Sequence, residues 1–232
     1  SGDILVGRKG VATFTQSGGT IDASSMVAGN MAGGDGTINI SGGSNVVSGT
    51  ITLGRVIGSK GTLLMSGGSM TAAALKVGSG DGANGSEGVF TLSGKDTYLK
   101  ADTLSLGDAG MDVASTLRIE DGEFQIQSIV ADGNSANESF FLEGGVLKLR
   151  HVSSPNIVND IDALITAGVF TWTNASPDSL AATHSPSTAT RTWTNAAGVK
   201  LYADESGTNY SYIWAATPPE KSLKLFMISS SN

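Results

Sequence analysis

The chain has 232 residues, 32 of them Gly and only 5 Pro, with 39% apolar and 15% charged residues and no Cys. Lys and Arg number 14 against 21 Asp and Glu, a net charge of −7 with no basic run, which argues against a nucleic-acid backbone or an anionic membrane surface as partner. Zero Cys removes disulfides, thiolate chemistry and Cys-based zinc sites together, and no apolar run is long enough to span a membrane.

Read from its start, the chain opens on "SGDILVG" with no leader segment, as a mature or trimmed product would. From there to Arg150 two phrases alternate. The first is apolar-x-apolar-Gly: "ILVG" (4–7), "MVAG" (26–29), "ITLG" (51–54), "LKVG" (75–78), "LSLG" (104–107) and, with Asp for Gly, "IVAD" (129–132). The second is a Gly-Gly corner marked by Gly18, Gly42, Gly67, Gly94, Asp121 and Gly144. Six repeats of about 25 residues mean that no single unit buries its own apolar face, so units stack as a solenoid.

Each repeat holds three short segments of period-2 alternation, and each contributes one inward column. The first column is Ile4/Val6, Met26/Ala28, Ile51/Leu53, Leu75/Val77, Leu104/Leu106 and Ile129/Ala131. The second is Phe14/Gln16, Ile38/Ile40, Leu63/Met65, Phe90/Leu92, Leu117/Ile119 and Phe140/Leu142, broken only by Gln16. The third is Ile21/Ala23, Met70/Ala72, Leu99/Ala101, Phe124/Ile126 and Leu147/Leu149, with "SNVVSG" of the second repeat fitting poorly. The expected fold is all-β: a six-coil parallel β-helix over residues 1–150, three strands per coil, right-handed by the crossover rule. Gly-Gly is then the corner between the second and third faces, with Asp121 filling one such position because Asp tolerates φ > 0. An antiparallel meander is the structural alternative, but it would not keep a period near 25 residues.

Repeat length varies between the first and second segments, at "NMAGGDG", "SGSGDGANGSEG", "DAGMDVAS" and "GNSANES", which places the long loops on one edge. Asp35, Asp81, Asp108 and Asp132 in these loops are faintly similar to the calcium-binding turns of β-rolls, but the nine-residue period of those turns is missing and turn chemistry explains these Asp and Gly better than calcium does. The same edge, with its polar column Arg8, Asn30, Arg55, Ser79 and Asp108, is where a carbohydrate-binding or polysaccharide-degrading β-helix would act. A solvated edge yields such a column equally well, and no catalytic set is assigned. Thr13, Thr37, Thr62, Val89, Thr116 and Ser139 form an outward ladder beside Thr15, Asn39, Leu64, Thr91, Arg118 and Phe141, too irregular for a lattice match. Leu64 and Phe141 imply that part of that face is covered.

After Arg150 the period stops, and residues 151–232 read as a β-rich cap. Asn159 or Asp160 is the expected N-cap of a short helix carrying Ile161, Leu164 and Ile165, with Gly168 as its stop. "VFTWTN" and "TRTWTN" follow, and "VKLYADESGTNYSYIWAA" reads as a hairpin. His151 and His184 stand in no ligand spacing and are expected on surface loops.

The paired phrases over residues 3–150 resemble the autotransporter-associated β-strand repeat proteins, a family of secreted or surface β-helix proteins of bacteria that includes adhesins. The resemblance implies architecture and an extracellular or cell-surface location; no catalytic residue carries over, and the family's carboxy-terminal barrel or sorting helix has no counterpart in these residues. The expected role is non-enzymatic and structural, with no cofactor and no nucleic acid: a subunit of a surface fibre or adhesin that binds copies of itself head to tail and has surface glycans as a second class of partner. The candidate assembly residues are Ile4, Leu5 and Val6, with only Ser1 and Gly2 ahead of coil one, and Leu223, Leu225, Phe226, Met227 and Ile228 of the last predicted strand, which is apolar on both faces.

Overall fold

The structure is a computed structural model that describes residues 1–78, 85–107, 113–131, 136–151 and 157–217. It is mostly strand and winds as a parallel β-solenoid of about 5 turns, close to the six coils counted from the repeats. β1 (Gly2–Val6) lies on the first face and β2 (Gly10–Gln16) on the second. β3 (Thr20–Ala28), β7 (Tyr98–Leu106) and β9 (Glu123–Ala131) each cover the third face of one coil and the first face of the next. β6 (Glu87–Leu92), β8 (Ala114–Ile119) and β10 (Glu138–Leu142) continue the second face, and β11 (Val146–Arg150) the third.

The register is the one alternation predicts. Phe14, Ile38, Leu63, Phe90, Leu117 and Phe140 are successive ladder partners on the second face. Ile21, Asn45, Met70, Leu99, Phe124 and Leu147 are partners on the third. The side chains from Ile38 to Phe140 in the first of these columns are fully buried, so the core is a stack of aliphatic and Phe layers.

Two details differ from the sequence reading. In coils two and three the three segments are one strand, β4 (Gly34–Leu53) and β5 (Lys60–Val77), which bends through its corners with the pairing shifting register at each. Their corners share "SGGS", so Ile40–Met65 before it and Ser44–Ser69 after it pair at the same offset despite the shift between them; the next corner, "SGKDT", closes instead with Thr97 N–H donating to Gly94 C=O, and the strand breaks there. In four corners the positive φ belongs to the second residue, Gly19, Gly43, Gly68 and Gly122, and in one to the first, Gly94, so Asp121 does not need that conformation. Asp121 serves otherwise: its Oδ1 accepts from Gly122 N–H and from Leu180 N–H, both at 2.8 Å, tying the carboxy-terminal segment to the last corners.

The other corner depends on Gly for space as well as for φ. Gly54 has φ +67, and a Cβ there would lie 2.2 Å from the Glu87 carbonyl oxygen of the next coil. Gly29 and Lys60 repeat that relation one coil earlier. No side chain fits where backbones approach this closely.

Beyond β11 the sheet extends by two routes. β12 (Phe170–Trp172) adds in parallel to β10, while β15 (Tyr210–Ala215), β14 (Lys200–Asp204) and β13 (Arg191–Thr194) add antiparallel to β11 in that order. The predicted hairpin is therefore β14–β15. α1 (Ile157–Thr166) plugs the interior with Val158, Ile161 and Leu164. It begins before the expected N-cap, leaving Asn159 and Asp160 inside its first turns, and ends before Gly168, whose φ is +77. Asp162 of α1 accepts from Trp193 Nε1 at 2.6 Å and pairs with Arg191, fastening the helix to β13.

Candidate functional site

The two ends of the solenoid differ in kind. At the carboxy-terminal end α1 and Trp172 close the core. At the amino-terminal end the inward residues Ile4, Phe14 and Ile21 are only half buried, because no described layer lies over them. Val11, 84% exposed, and Leu5, 44% exposed, add outward apolar surface. Gly10 N–H donates to Gly33 C=O, so even-numbered residues of β2 face β4. Alternation then turns the backbone groups of Val11, Thr13 and Thr15 to an edge that no described strand pairs.

Of the residues singled out from sequence, Ile4 and Val6 point inward, Val6 being buried, and Leu5 points out. The three do not share one surface. Phe14, Ile21 and Val11 complete the open end; the first two were legible only as core, and their exposure comes from their place in the first coil. Leu223, Leu225, Phe226, Met227 and Ile228 lie outside the described residues.

The carboxy-terminal end carries a groove of about 460 Å³ beside β12, lined by Ile165, Gly168, Phe170, Trp172, Asn195 and Ala197 among others. Nothing in the sequence pointed to it, because its walls come from segments some 30 residues apart. Trp172 is held in place as Nε1 donates to Val199 C=O at 3.0 Å and its own C=O accepts from Asn195 Nδ2 at 2.9 Å.

On the loop edge, Asp81, Ser79, Asp108 and Asp132 lie outside the described residues. Asp35 stands beside Lys60, which bonds Glu87 at 2.8 Å, and these two acids raise the Lys60 pKa, the Glu87 hydrogen bond most. Arg55 Nη1 donates to Asn30 Oδ1 at 3.2 Å, so this part of the polar column is bonded to itself. Among the described residues, no three His, Cys, Asp or Glu side chains converge as metal ligands would. On the second face, Arg118 lies 4.7 Å over the Phe141 ring and pairs with Glu143, which accounts for Phe141; Leu64 stays 40% exposed.

Both His lie in loops, as expected, half buried and engaged with β15. His151 Nε2 meets Ser211 Oγ at 2.7 Å, and His184 packs on Tyr212 and Trp214, part of the segment covering the outer face of β15. The Lys148 ammonium lies over Tyr210 and Tyr212 and bonds Glu123 at 3.1 Å. Burial, the largest single influence, lowers its pKa, but Glu123 together with Tyr212 and Tyr98 raises it by more and the net shift is upward. Such contacts bind the hairpin to the solenoid. No protein-family model, curated protein or solved structure matches the chain.

Proposed function

We propose that this chain is a non-enzymatic extracellular structural protein of a bacterium, a subunit of a surface fibre or adhesin that associates head to tail through its solenoid ends. The observation that carries the reading is the asymmetry of the ends: one is closed by α1, while Ile4, Phe14 and Ile21 stand half open above the edge of β2 that no described strand pairs. An unpaired strand edge with an apolar interior behind it is a template for a further strand. Residues 222–228 of a neighbouring copy, apolar at Leu223, Leu225 and Met227 on one side and at Phe226 and Ile228 on the other, have the pattern of such a strand. The contact joins two different surfaces and does not close on itself, so it propagates. The acidic, Gly-, Ser- and Thr-rich composition is consistent with an extracellular surface.

Sedimentation and electron microscopy across a concentration series test the reading. The intact chain should form linear polymers, and Phe14→Asp should hold it as a monomer with its fold retained. An intact chain that stays monomeric at high concentration removes the fibre and leaves an adhesin or binding module.

A further inference from the structure

We propose that the groove beside β12 is the resting seat of residues 222–228 in the free chain, held there as an added strand, and that assembly starts when this segment leaves it for coil one of a neighbour. The seat rests on the groove itself; the release step rests on the head-to-tail reading.

The edge of β12 is prepared for a strand. Phe140 N–H donates to Val169 C=O and Thr173 N–H donates to Leu142 C=O, so the odd-numbered residues face β10. Alternation turns the backbone groups of Phe170 and Trp172 into the groove. Asn195 takes the Trp172 C=O. The Phe170 N–H and C=O and the Trp172 N–H have no partner among the described residues.

The walls fit a strand that is apolar on both faces. Ile165, Gly168, Phe170, Trp172, Ala196 and Ala197 give the groove a mainly apolar lining. Leu223, Leu225 and Met227 with Phe226 and Ile228 supply apolar side chains in both directions. On an open sheet surface one of those sets would face water.

The chain also leaves the described fold close by. Ala216 N–H donates to Lys200 C=O, and Ala216 C=O accepts from Ala175 N–H, both at 2.8 Å. Lys200 is the ladder partner of Thr194, which lines the groove. Two strand spacings, about 10 Å, therefore separate Ala216 from the seat. Six extended residues reach about 20 Å, so residues 217–222 span the gap.

Hydrogen exchange at the Phe170 and Trp172 amides tests the seat at concentrations where the chain is monomeric. Both amides should exchange at least tenfold more slowly in the intact chain than in a chain ending at Thr217. Ala197→Arg, at an exposed position on the groove wall, should release the same two amides and lower the concentration at which polymers form, whereas the truncated chain forms none. Unchanged β4 and β5 amides report that each variant is folded. Equal, fast exchange with and without residues 218–232 overturns the seat. Protection that appears only as polymers form also overturns it, in favour of a neighbouring copy as occupant. A chain that protects both amides yet never polymerises keeps the seat and removes the head-to-tail reading with its release step.

Discussion

Gln16 and Asn45, the two polar residues in otherwise apolar inward columns, are bonded to each other. Gln16 Nε2 donates to Asn45 Oδ1 at 2.8 Å across the first Gly-Gly corner, and Asn45 Oδ1 also accepts from Ile21 N–H at 3.2 Å. Gln16 Oε1 and Asn45 Nδ2 are buried without a partner in the structure. Breaking such a pair exposes its unmet polar groups, whereas removing both residues together removes the polar burden as well.

Gln16→Leu alone should therefore destabilise by about 1 kcal/mol, and Gln16→Leu with Asn45→Met should restore or exceed the original stability. Met is the residue that Met70 supplies one coil on. Urea denaturation of the single and double variants gives the coupling; additive losses would show that the two amides act independently.

Two glycines with the same backbone conformation should respond differently to a methyl group. Gly54 (φ +67) would place its Cβ 2.2 Å from a backbone oxygen, while Gly58 (φ +66) faces open space. Gly58→Ala should lose roughly 1 kcal/mol for the left-handed conformation alone. Gly54→Ala should lose roughly 3 kcal/mol or more, as coils must part to admit it. Thermal melts of the two variants compare them directly, and equal shifts would refute close coil contact at that corner.

Ile119 is fully buried and Thr116 half buried on the same strand, β8. Ile119→Asp should destabilise by several kcal/mol, roughly 3 to 5, because it places an unpaired charge between apolar layers. Thr116→Asp should change stability by about 0.5 kcal/mol. Similar melting temperatures for the two would reject the inward and outward assignment of the second face.

Asp204 sits at the turn of the β14–β15 hairpin, where its Oδ1 accepts from the Ser206 hydroxyl and from Ser206 N–H. Those bonds, the hydroxyl first, hold its pKa below the usual carboxylate value. A depressed folded pKa gives stability that is present above the unfolded pKa and is lost as pH falls through the folded one. Solvent screening limits the effect to roughly 0.3 kcal/mol at this exposed site. Asp204→Asn should flatten that part of the acid limb of a stability profile between neutral pH and pH 2; an unchanged profile would dismiss the link.

What the sequence made legible was whatever repeats. Ile38 and Leu63 announce themselves because a period of two within strands and of about 25 between them fix both the face and the neighbour. Asn45 did not, since a buried amide is recognisable only beside its partner, and Gln16 lies 29 residues away. The merging of β4 into one strand was hidden because a Gly-Gly pair reads as an ending, whereas matching corners stacked on each other shift the pairing locally and return it to the same offset at Ser44–Ser69. In the cap nothing repeats: β11 pairs with β15 across some 60 residues, and no local pattern specifies that partnership. The hairpin and the helix stop at Gly168 were readable because turn chemistry is local.

The corner glycines also have a mechanical meaning. Because backbone hydrogen bonds run along the solenoid axis, an axial pull loads the three faces of one coil side by side and successive coils one after another. Tension would then be limited by the weakest junction rather than by the sum. Coils two and three, joined by the long ladder between β4 and β5, should resist the pull most. The looser links lie at the broken corner after β6 and where coil one meets coil two over the Gln16–Asn45 pair. Under force the molecule should therefore shed its first coil before its middle, yielding in steps of one repeat.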